Sequence, residues 1–380
     1  MAIKPKPMTK RDNSEDFRSL FLRDIPLLDV RAPVEFNKGA FPCATNIPLL
    51  DDEQRQVIGT RYKEQGQDAA IALGWQLATP AIQAQRIADW TQHVKQHPEG
   101  YLYCFRGGLR SNLSKKLIAE AGIDYPLITG GYKAMRRFLI DELDANSLAL
   151  RQPASPLVLI AGRTGSGKTR LIQRIAHSFD LEGFANHRGS AFGRQLKPQP
   201  AQIDFENTLS IAVLKLRDAH PQSPLFTEDE GHMIGSVTLP LELQATMQQA
   251  PLAVLETPLE ERIDIALEEY VLSARPEYIQ AYGEALGSEK FREQILGNLT
   301  RIRKRLGGDR HQALMAIFSA ALSEFENTGN ADSFRPGIEV LLSNYYDPMY
   351  DYQQSRRDGR EIFRGNKDEI VAWAQSYTPT

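Results

Sequence analysis

The sequence predicts an α/β protein in which two α/β units follow one another and give way to a mainly helical region. Three observations carry that prediction. Apolar runs of strand length recur at IPLLDV (25–30), PLVLIAG (156–162) and PLAVLETP (251–258), and they read as buried strands. Two such runs, YLYCF (101–105) and PLVLIAG, lead into a glycine-containing turn and then into a segment of helical spacing. Beyond residue 258 the spacing is predominantly helical, with no repeat period.

Composition frames the reading. A chain of 380 residues, 42% hydrophobic and 24% charged, has room for two or three globular domains with sizeable cores. Two cysteines, Cys43 and Cys104, make no disulfide framework, and the start MAIKPKPMTKRDNSEDF lacks the apolar core of a secretion signal. A reducing, cytoplasmic setting is therefore expected. No run approaches the roughly 20 apolar residues that span a bilayer. A formal net charge of −3 speaks against indiscriminate coating of nucleic acid and leaves room for a local basic face.

Residues 1–18 are polar. IPLLDV is the first strand, and APVEFNKGAFPCATNIPL after it reads as a helix, a turn and a second short strand, punctuated by Glu35, Gly39, Pro42, Asn46 and Pro48. The first unit centres on residues 101–111, YLYCFRGGLRS. The thiolate is the nucleophilic form of cysteine, and its pKa falls beside cations, at a helix N-terminus, or within a nest of backbone N–H groups. This stretch offers all three. Gly107 and Gly108 can take the positive φ that turns successive N–H groups inward, and LRSNLSKKLIAEAG has helical spacing from about Leu109. Cys104 is expected at the mouth of an anion pocket that closes on Arg110 and Ser111. Cys43, next to Pro42 in a turn, reads as structural.

The pattern DVR-x3-EF-x2-G-x2-P-x-A-x-NIPL is very similar to the opening of rhodanese domains, and YCFRGGLRS follows on its own strand, loop and helix. The first 140 or so residues resemble a complete single rhodanese domain, which implies a parallel sheet with helices on both faces. By that resemblance Cys104 carries a persulfide or perselenide. Five residues separate Cys104 from Arg110, where rhodanese sulfurtransferases usually have one fewer. Five is the spacing of the Cys-x5-Arg phosphatases. The roomier loop suits a tetrahedral oxyanion, so a sulfur or selenium donor bearing a phosphate-like group is expected.

Next, AGIDYPLITGGYKAMRRFLIDELD carries a short strand at 126–128, then Gly130-Gly131 and a helix whose apolar positions are Met135, Phe138, Leu139 and Leu143. Lys133, Arg136 and Arg137 project from its start, where they can meet RNA or form a solvated face. ANSLALRQPAS (145–155) is the boundary candidate, giving a first domain over 1–145.

PLVLIAG runs into Gly162-Arg-Thr-Gly-Ser-Gly-Lys-Thr169, a full match to the P-loop pattern G-x4-GK[ST], with a strand before it and an amphipathic helix, RLIQRIAHSF, after it. Backbone amides around Gly162, Gly165, Ser166 and Gly167 are expected to cradle a diphosphate. Lys168 then neutralises the outer phosphate and Thr169 can hold Mg²⁺. The strand in SPLFTEDEG (223–231) ends in Glu228 and Glu230, one of which would contact that ion directly or through water. In the loop ANHRGSAFGRQLKPQP (185–200), His187, Arg188 and Arg194 can clamp an anionic substrate.

The expected architecture is thus a rhodanese-like domain, a P-loop NTPase-like α/β domain over 155–260, and a helical C-terminal region over 261–380. In that region Arg301, Arg303, Lys304 and Arg305 put four cations in five residues. Tyr345, Tyr346, Tyr350 and Tyr352 cluster beside Arg356, Arg357 and Arg360. Cations with aromatics suit phosphate contacts plus stacking on unpaired RNA bases, although tyrosines serve equally as core.

From DVRAPVEF through YCFRGGLRS, GGYKAMRR, GRTGSGKT and ANHRGSAFG to NYYDPMYDYQ, the chain resembles the bacterial tRNA 2-selenouridine synthase family over nearly all of its 380 residues. The resemblance implies replacement of sulfur by selenium in wobble 2-thiouridine of the tRNAs for Lys, Glu and Gln. Selenophosphate would be the donor, and an S-geranylated intermediate would be made from geranyl diphosphate. The implied partners are tRNA and the enzyme that supplies selenophosphate; a monomer with no membrane attachment is expected. Two phosphate sites in one chain suit that chemistry. The motifs also admit an ATP- or GTP-dependent tRNA thiolation enzyme, or a Cys-x5-Arg phosphatase with a regulatory P-loop module.

Overall fold

A computed structural model of the chain describes residues 11–190, 192–355 and 360–379. The architecture is mixed α/β with parallel sheets, and the contacts divide into two compact units: Met1–Leu143 with Ala201–Lys215, and Asp144–Pro200 with Leu216–Thr380.

In the first unit, β1 (Leu27–Asp29) lies between β2 (Ala44–Asn46) and β3 (Tyr101–Tyr103), all three parallel, with Leu27 in register with Ala44 and Tyr101. Successive side chains alternate between faces. Leu27 and Tyr103 enter one core with Phe21, Met135 and Leu139. Leu28, Leu102 and Cys104 enter the other with Trp90 and Tyr125. A sheet covered on both faces needs buried strands, and β1 is buried throughout and β3 nearly so, while the edge strand β2, Ala-Thr-Asn, is only partly buried. The expected strand at 126–128 is shorter, reduced to parallel bridges from Leu127 to Leu102 and from Ile128 to Ser14. Between β2 and β3 stand two helices, Asp52–Leu77 and Pro80–Gln96, in a stretch to which the sequence reading assigned nothing. Asp51 and Thr79 cap them, and Gly66, at φ 85°, kinks the first. The DVR triplet is part of the core. Arg31, 2% exposed, donates to Asp29 Oδ2 at 2.7 and 2.8 Å and to the Gly39 carbonyl at 2.9 Å. Buried charges persist when they are paired in this way.

The second unit contains β4 (Leu157–Gly162), β5 (Leu225–Glu228), the antiparallel pair β6 (Met233–Ile234) and β7 (Val237–Thr238), β8 (Leu252–Leu255) and β9 (Glu361–Gly365). The main sheet runs β5-β4-β8-β9, all parallel, and every residue of β4 is buried. β9 is a strand within the mainly helical region expected after residue 260. Its residues are mostly exposed, so no apolar run announced it, and only pairing with β8 makes it a strand. The helix Lys367–Ser376 then returns over the sheet, with Trp373 stacked on Phe363. The rest of the region is helical, packed around Ile263, Leu299, Phe318, Leu322 and Phe334.

The amphipathic helix expected after the P-loop is also shorter than its spacing suggests. It runs over Lys168–Ile172 only. His177 turns left-handed at φ 59°, and Ser178 donates its hydroxyl to the carbonyls of Ile172 and Ile175 while bridging to Phe226. Ile172 and Ile175 remain buried; the apolar spacing survives while pairing with β5 ends the helix. Among the described residues no helix is long and apolar enough to cross a membrane.

Candidate functional site

β3 delivers Cys104 into its loop 3% exposed, with Sγ donating to Ser111 Oγ at 3.2 Å and that hydroxyl donating to the Gly108 carbonyl at 3.0 Å. The following helix, Leu109–Glu120, begins where helical spacing predicts. Only one of the two glycines is left-handed. Gly107 has φ 67°, whereas Gly108 has φ −96° and ψ −140° and a Cβ there would meet nothing within 4 Å. One residue therefore reverses the chain. The loop is held from behind by Gly130-Gly131: a Cβ on Gly131 would approach the Cys104 carbonyl oxygen to 2.3 Å. Tyr132 and Lys133 donate their N–H groups to the carbonyls of Cys104 and Phe105, both at 2.9 Å.

Arg110 departs from the expected anion-gripping role, because it forms a two-point ion pair with Glu35 at 2.5 and 3.2 Å. Burial raises the Glu35 carboxyl, but the hydrogen bond from Arg110 and its charge outweigh that, and the pKa stays below its ordinary value. The exposed cation of the loop is Arg106, which the sequence reading passed over. Beside Arg110 opens an apolar cavity of about 150 Å³, lined by Leu50, Ile58, Tyr62, Ile71, Trp75 and Leu109. The kinked helix Asp52–Leu77 supplies most of that wall. Cys43 is half-buried, and burial pushes its thiol up to about 11.

The second phosphate motif has the strand, turn and helix that its pattern requires. Gly165 and Gly167 are left-handed, at φ 78° and 81°, which lets successive amides turn inward. Lys168 Nζ donates to the Gly162 carbonyl at 3.0 Å. Thr169 donates its hydroxyl to Glu182 Oε2 at 2.7 Å, and Glu182 Oε1 accepts from the Gly189 N–H at 2.6 Å. Sequence reasoning missed Glu182. Nothing in DLEGF marks it out from any acid in a first helical turn. A Cβ on Gly189 would lie 2.4 Å from Glu182 Oε1 and 2.7 Å from Glu230 Oε1, so the glycine lets the two carboxylates converge. Burial, then the neighbouring Glu182, pushes Glu230 up to about 8, against the opposing charge of Lys168. Glu228 is fully buried instead. Its Oε2 accepts from the Leu181 N–H at 3.0 Å and its Oε1 has no partner, and burial followed by Asp180 and Glu182 raises it well above the carboxylate range.

Two further features frame this loop. Arg262, 2% exposed, donates Nε to the Thr164 carbonyl at 3.0 Å and grips Asp347 at 2.6 and 2.9 Å. The NYYDPMYDYQ motif is thereby tied to the P-loop backbone. On the same side Thr164 and Gly165 border a narrow apolar cleft walled by Phe192, Tyr270, Val271, Phe318, Leu342 and Tyr346.

Of the three residues expected as a clamp, the structure joins two. His187 and Arg194 bridge to one another and line a pocket of about 290 Å³ with Glu230 and Arg301. Arg188 turns away and donates to the Glu269 carbonyl at 2.8 Å. The expected RNA contacts also separate. Arg301, Arg303, Lys304 and Arg305 are exposed on Glu284–Leu306, and none of them forms an ion pair among the described residues. Arg136 is instead engaged, paired with Glu206 and donating to Asn207 at 3.0 Å, and Arg137 pairs with Asp141 on its own helix. Tyr346, 6% exposed, packs in the helical core and is not a stacking platform. Arg356 lies outside the described residues.

A family model described as the tRNA 2-selenouridine synthase AAA domain matches residues 155–379. A tRNA 2-selenouridine synthase of Marinobacter nauticus is 50% identical over 98% of this chain and 100% of its own length. The enzyme of the same name from Pseudomonas syringae pv. syringae is 48% identical over 95% of this chain and 97% of its own. That of Photobacterium profundum is 46% identical over 96% and 98%.

Proposed function

Because this chain belongs to the tRNA 2-selenouridine synthase family, we propose that it replaces sulfur by selenium in wobble 2-thiouridine of tRNA, with selenophosphate as donor and an S-geranyl intermediate made from geranyl diphosphate. One observation carries the choice of the prenyl donor over a nucleotide. The P-loop, built to cradle a diphosphate, adjoins an apolar cleft bordered by Thr164 and Gly165. The cleft, of about 30 Å³, admits the start of a hydrocarbon chain beside the charged head and has to widen for the rest, and it offers little to a purine's polar edge.

In the first step the thiocarbonyl sulfur forms a bond to C1 of the geranyl group, the C–O bond to diphosphate breaks, and the uridine N3 proton is released. The amides of Gly165, Ser166 and Gly167 and the Lys168 ammonium stabilise the charge gathering on the leaving diphosphate. Two carboxylates, Glu182 and Glu230, beside the Thr169 hydroxyl are a donor set that suits Mg²⁺, which takes one or two carboxylates and leaves its other positions to phosphate and water. When bound, that ion adds positive charge to the same diphosphate.

The second step belongs to the first unit, read as a rhodanese-like domain. Alkylated sulfur leaves C2 as geranylthiol when selenium attacks there, whereas free thiocarbonyl sulfur is a poor leaving group. The selenium of selenophosphate attacks C2 as geranylthiol departs, and water then cleaves the P–Se bond to release phosphate, with Cys104 positioning the donor. Gly107, the loop amides and Arg106 hold the donor's phosphate, while Arg110, locked to Glu35, fixes the loop. The apolar cavity beside Arg110 takes the geranyl chain of the intermediate. The first domain is read as 1–145; the P-loop domain begun over 155–260 is completed by β9 from the stretch 261–380, which presents Arg303, Lys304 and Arg305 to tRNA in the cytoplasm.

Nucleoside mass spectrometry after incubation with thiolated tRNA tests this reading. Geranyl diphosphate alone should give S-geranyl-2-thiouridine, and added selenophosphate should convert it to 2-selenouridine. Selenation that required ATP and passed through no geranylated nucleoside would overturn it.

A further inference from the structure

The pocket shared by His187, Arg194 and Arg301 has the chemistry of a phosphate site and no occupant in the scheme above. His187 is 7% exposed, yet its Nδ1 has no hydrogen-bond partner. Buried polar atoms are nearly always satisfied, and this one belongs to a residue that lines the pocket. Arg194 comes from the loop and Arg301 from the helix Glu284–Leu306, and both line the same space. Neither forms an ion pair among the described residues. Two cations that converge without a counterion repel one another, and burial together with Arg194 lowers the pKa of Arg301.

The helix supplies the direction from which an anion arrives. Arg301, Lys304 and Arg305 lie three and four positions apart and so share one face. Arg301 reaches the pocket while Lys304 and Arg305 remain exposed along the approach. A free phosphate would need only the pocket; a row leading into it suits a polyanion. The pocket also reaches Glu230, whose neighbours are Glu182 and Lys168 of the P-loop site.

We propose that His187, Arg194 and Arg301 together hold one backbone phosphodiester of the RNA substrate and so register the neighbouring nucleotide to the P-loop site. The proposal rests on tRNA being the substrate and on no step of the chemistry. The test is equilibrium binding of thiolated tRNA to the full chain as a function of salt. Each phosphate contact contributes about one unit of log–log slope. Arg194→Ala and Arg301→Ala should each flatten the slope by about one unit, and the double variant should flatten it by about the same one unit, because both side chains serve a single phosphate. Arg301→Lys should keep the wild-type slope. Unchanged slopes in the alanine variants, or a loss of about two units in the double variant, would overturn the shared site alone. A wild-type chain that bound no tRNA would overturn it together with the functional reading.

Discussion

Asp347→Ala tests how the P-loop is held in place. The Arg262 side chain is 2% exposed and that of Asp347 12%, and their two hydrogen bonds measure 2.6 and 2.9 Å. Removing the carboxylate leaves a guanidinium buried with one remaining acceptor, the Thr164 carbonyl. Breaking a buried pair from one side costs about 3–5 kcal/mol. The lower end applies here, because Asp347 has a water-facing edge and Arg163, 3.3 Å away and 45% exposed, can turn to solvent. A loss of about 3 kcal/mol lowers the equilibrium constant of folding by somewhat more than a hundredfold. Native-state hydrogen exchange of peptides from β4 reads this directly, since global opening limits exchange in a fully buried central strand. The double replacement Arg262→Met with Asp347→Leu should recover most of the loss, as apolar side chains of similar size do at buried ion pairs. Protection reduced less than fivefold in Asp347→Ala, or a double variant worse than the single one, would refute the assignment of this pair as the anchor of Thr164.

Four other outcomes follow from the geometry. Lys168→Ala should slow geranylation by about 3 kcal/mol of transition-state stabilisation and still selenate tRNA supplied already geranylated; Cys104→Ala should do the reverse and accumulate the S-geranyl nucleoside, with mass spectrometry of both variants as the check. Leu342→Trp should fill the cleft beside Gly165, raising KM for geranyl diphosphate severalfold while leaving inhibition by inorganic diphosphate unchanged, and an equal loss of both would place the hydrocarbon elsewhere. Glu230, with a folded-state pKa of about 8 against an ordinary 4.5, holds its proton on folding; its contribution is complete below about pH 4.5 and is lost as pH rises through 8, so urea titrations of Glu230→Gln should show a flatter decline of stability across that window than wild type. Deleting Gly108, whose φ is negative, should shorten the thiol loop without unfolding it and shift donor preference from selenophosphate towards thiosulfate, whereas deleting the left-handed Gly107 should destabilise the unit, as thermal unfolding would report.

What sequence alone determined is the chemistry that depends on near neighbours. The strands ending at Tyr103 and Gly162, the turns after them, the glycines at 107, 165 and 167 and the helix starts at Leu109 and Lys168 are specified by residues within a few positions of one another, where backbone freedom and apolar spacing act directly. Tertiary structure decided which charges are free. Arg110 and Glu35 stand 75 residues apart, Arg262 and Asp347 85, and Thr169 and Glu182 13. No local pattern encodes such pairings, so the basic residue that looked catalytic is engaged and Arg106 is the exposed one. Likewise β9 exists because β8 offers an unpaired edge, and Tyr346 is buried because the π-helical turn Leu342–Tyr346 brings its ring into the helical core. Backbone geometry is settled over a few residues, whereas desolvation and ion pairing are settled by whatever the fold brings alongside.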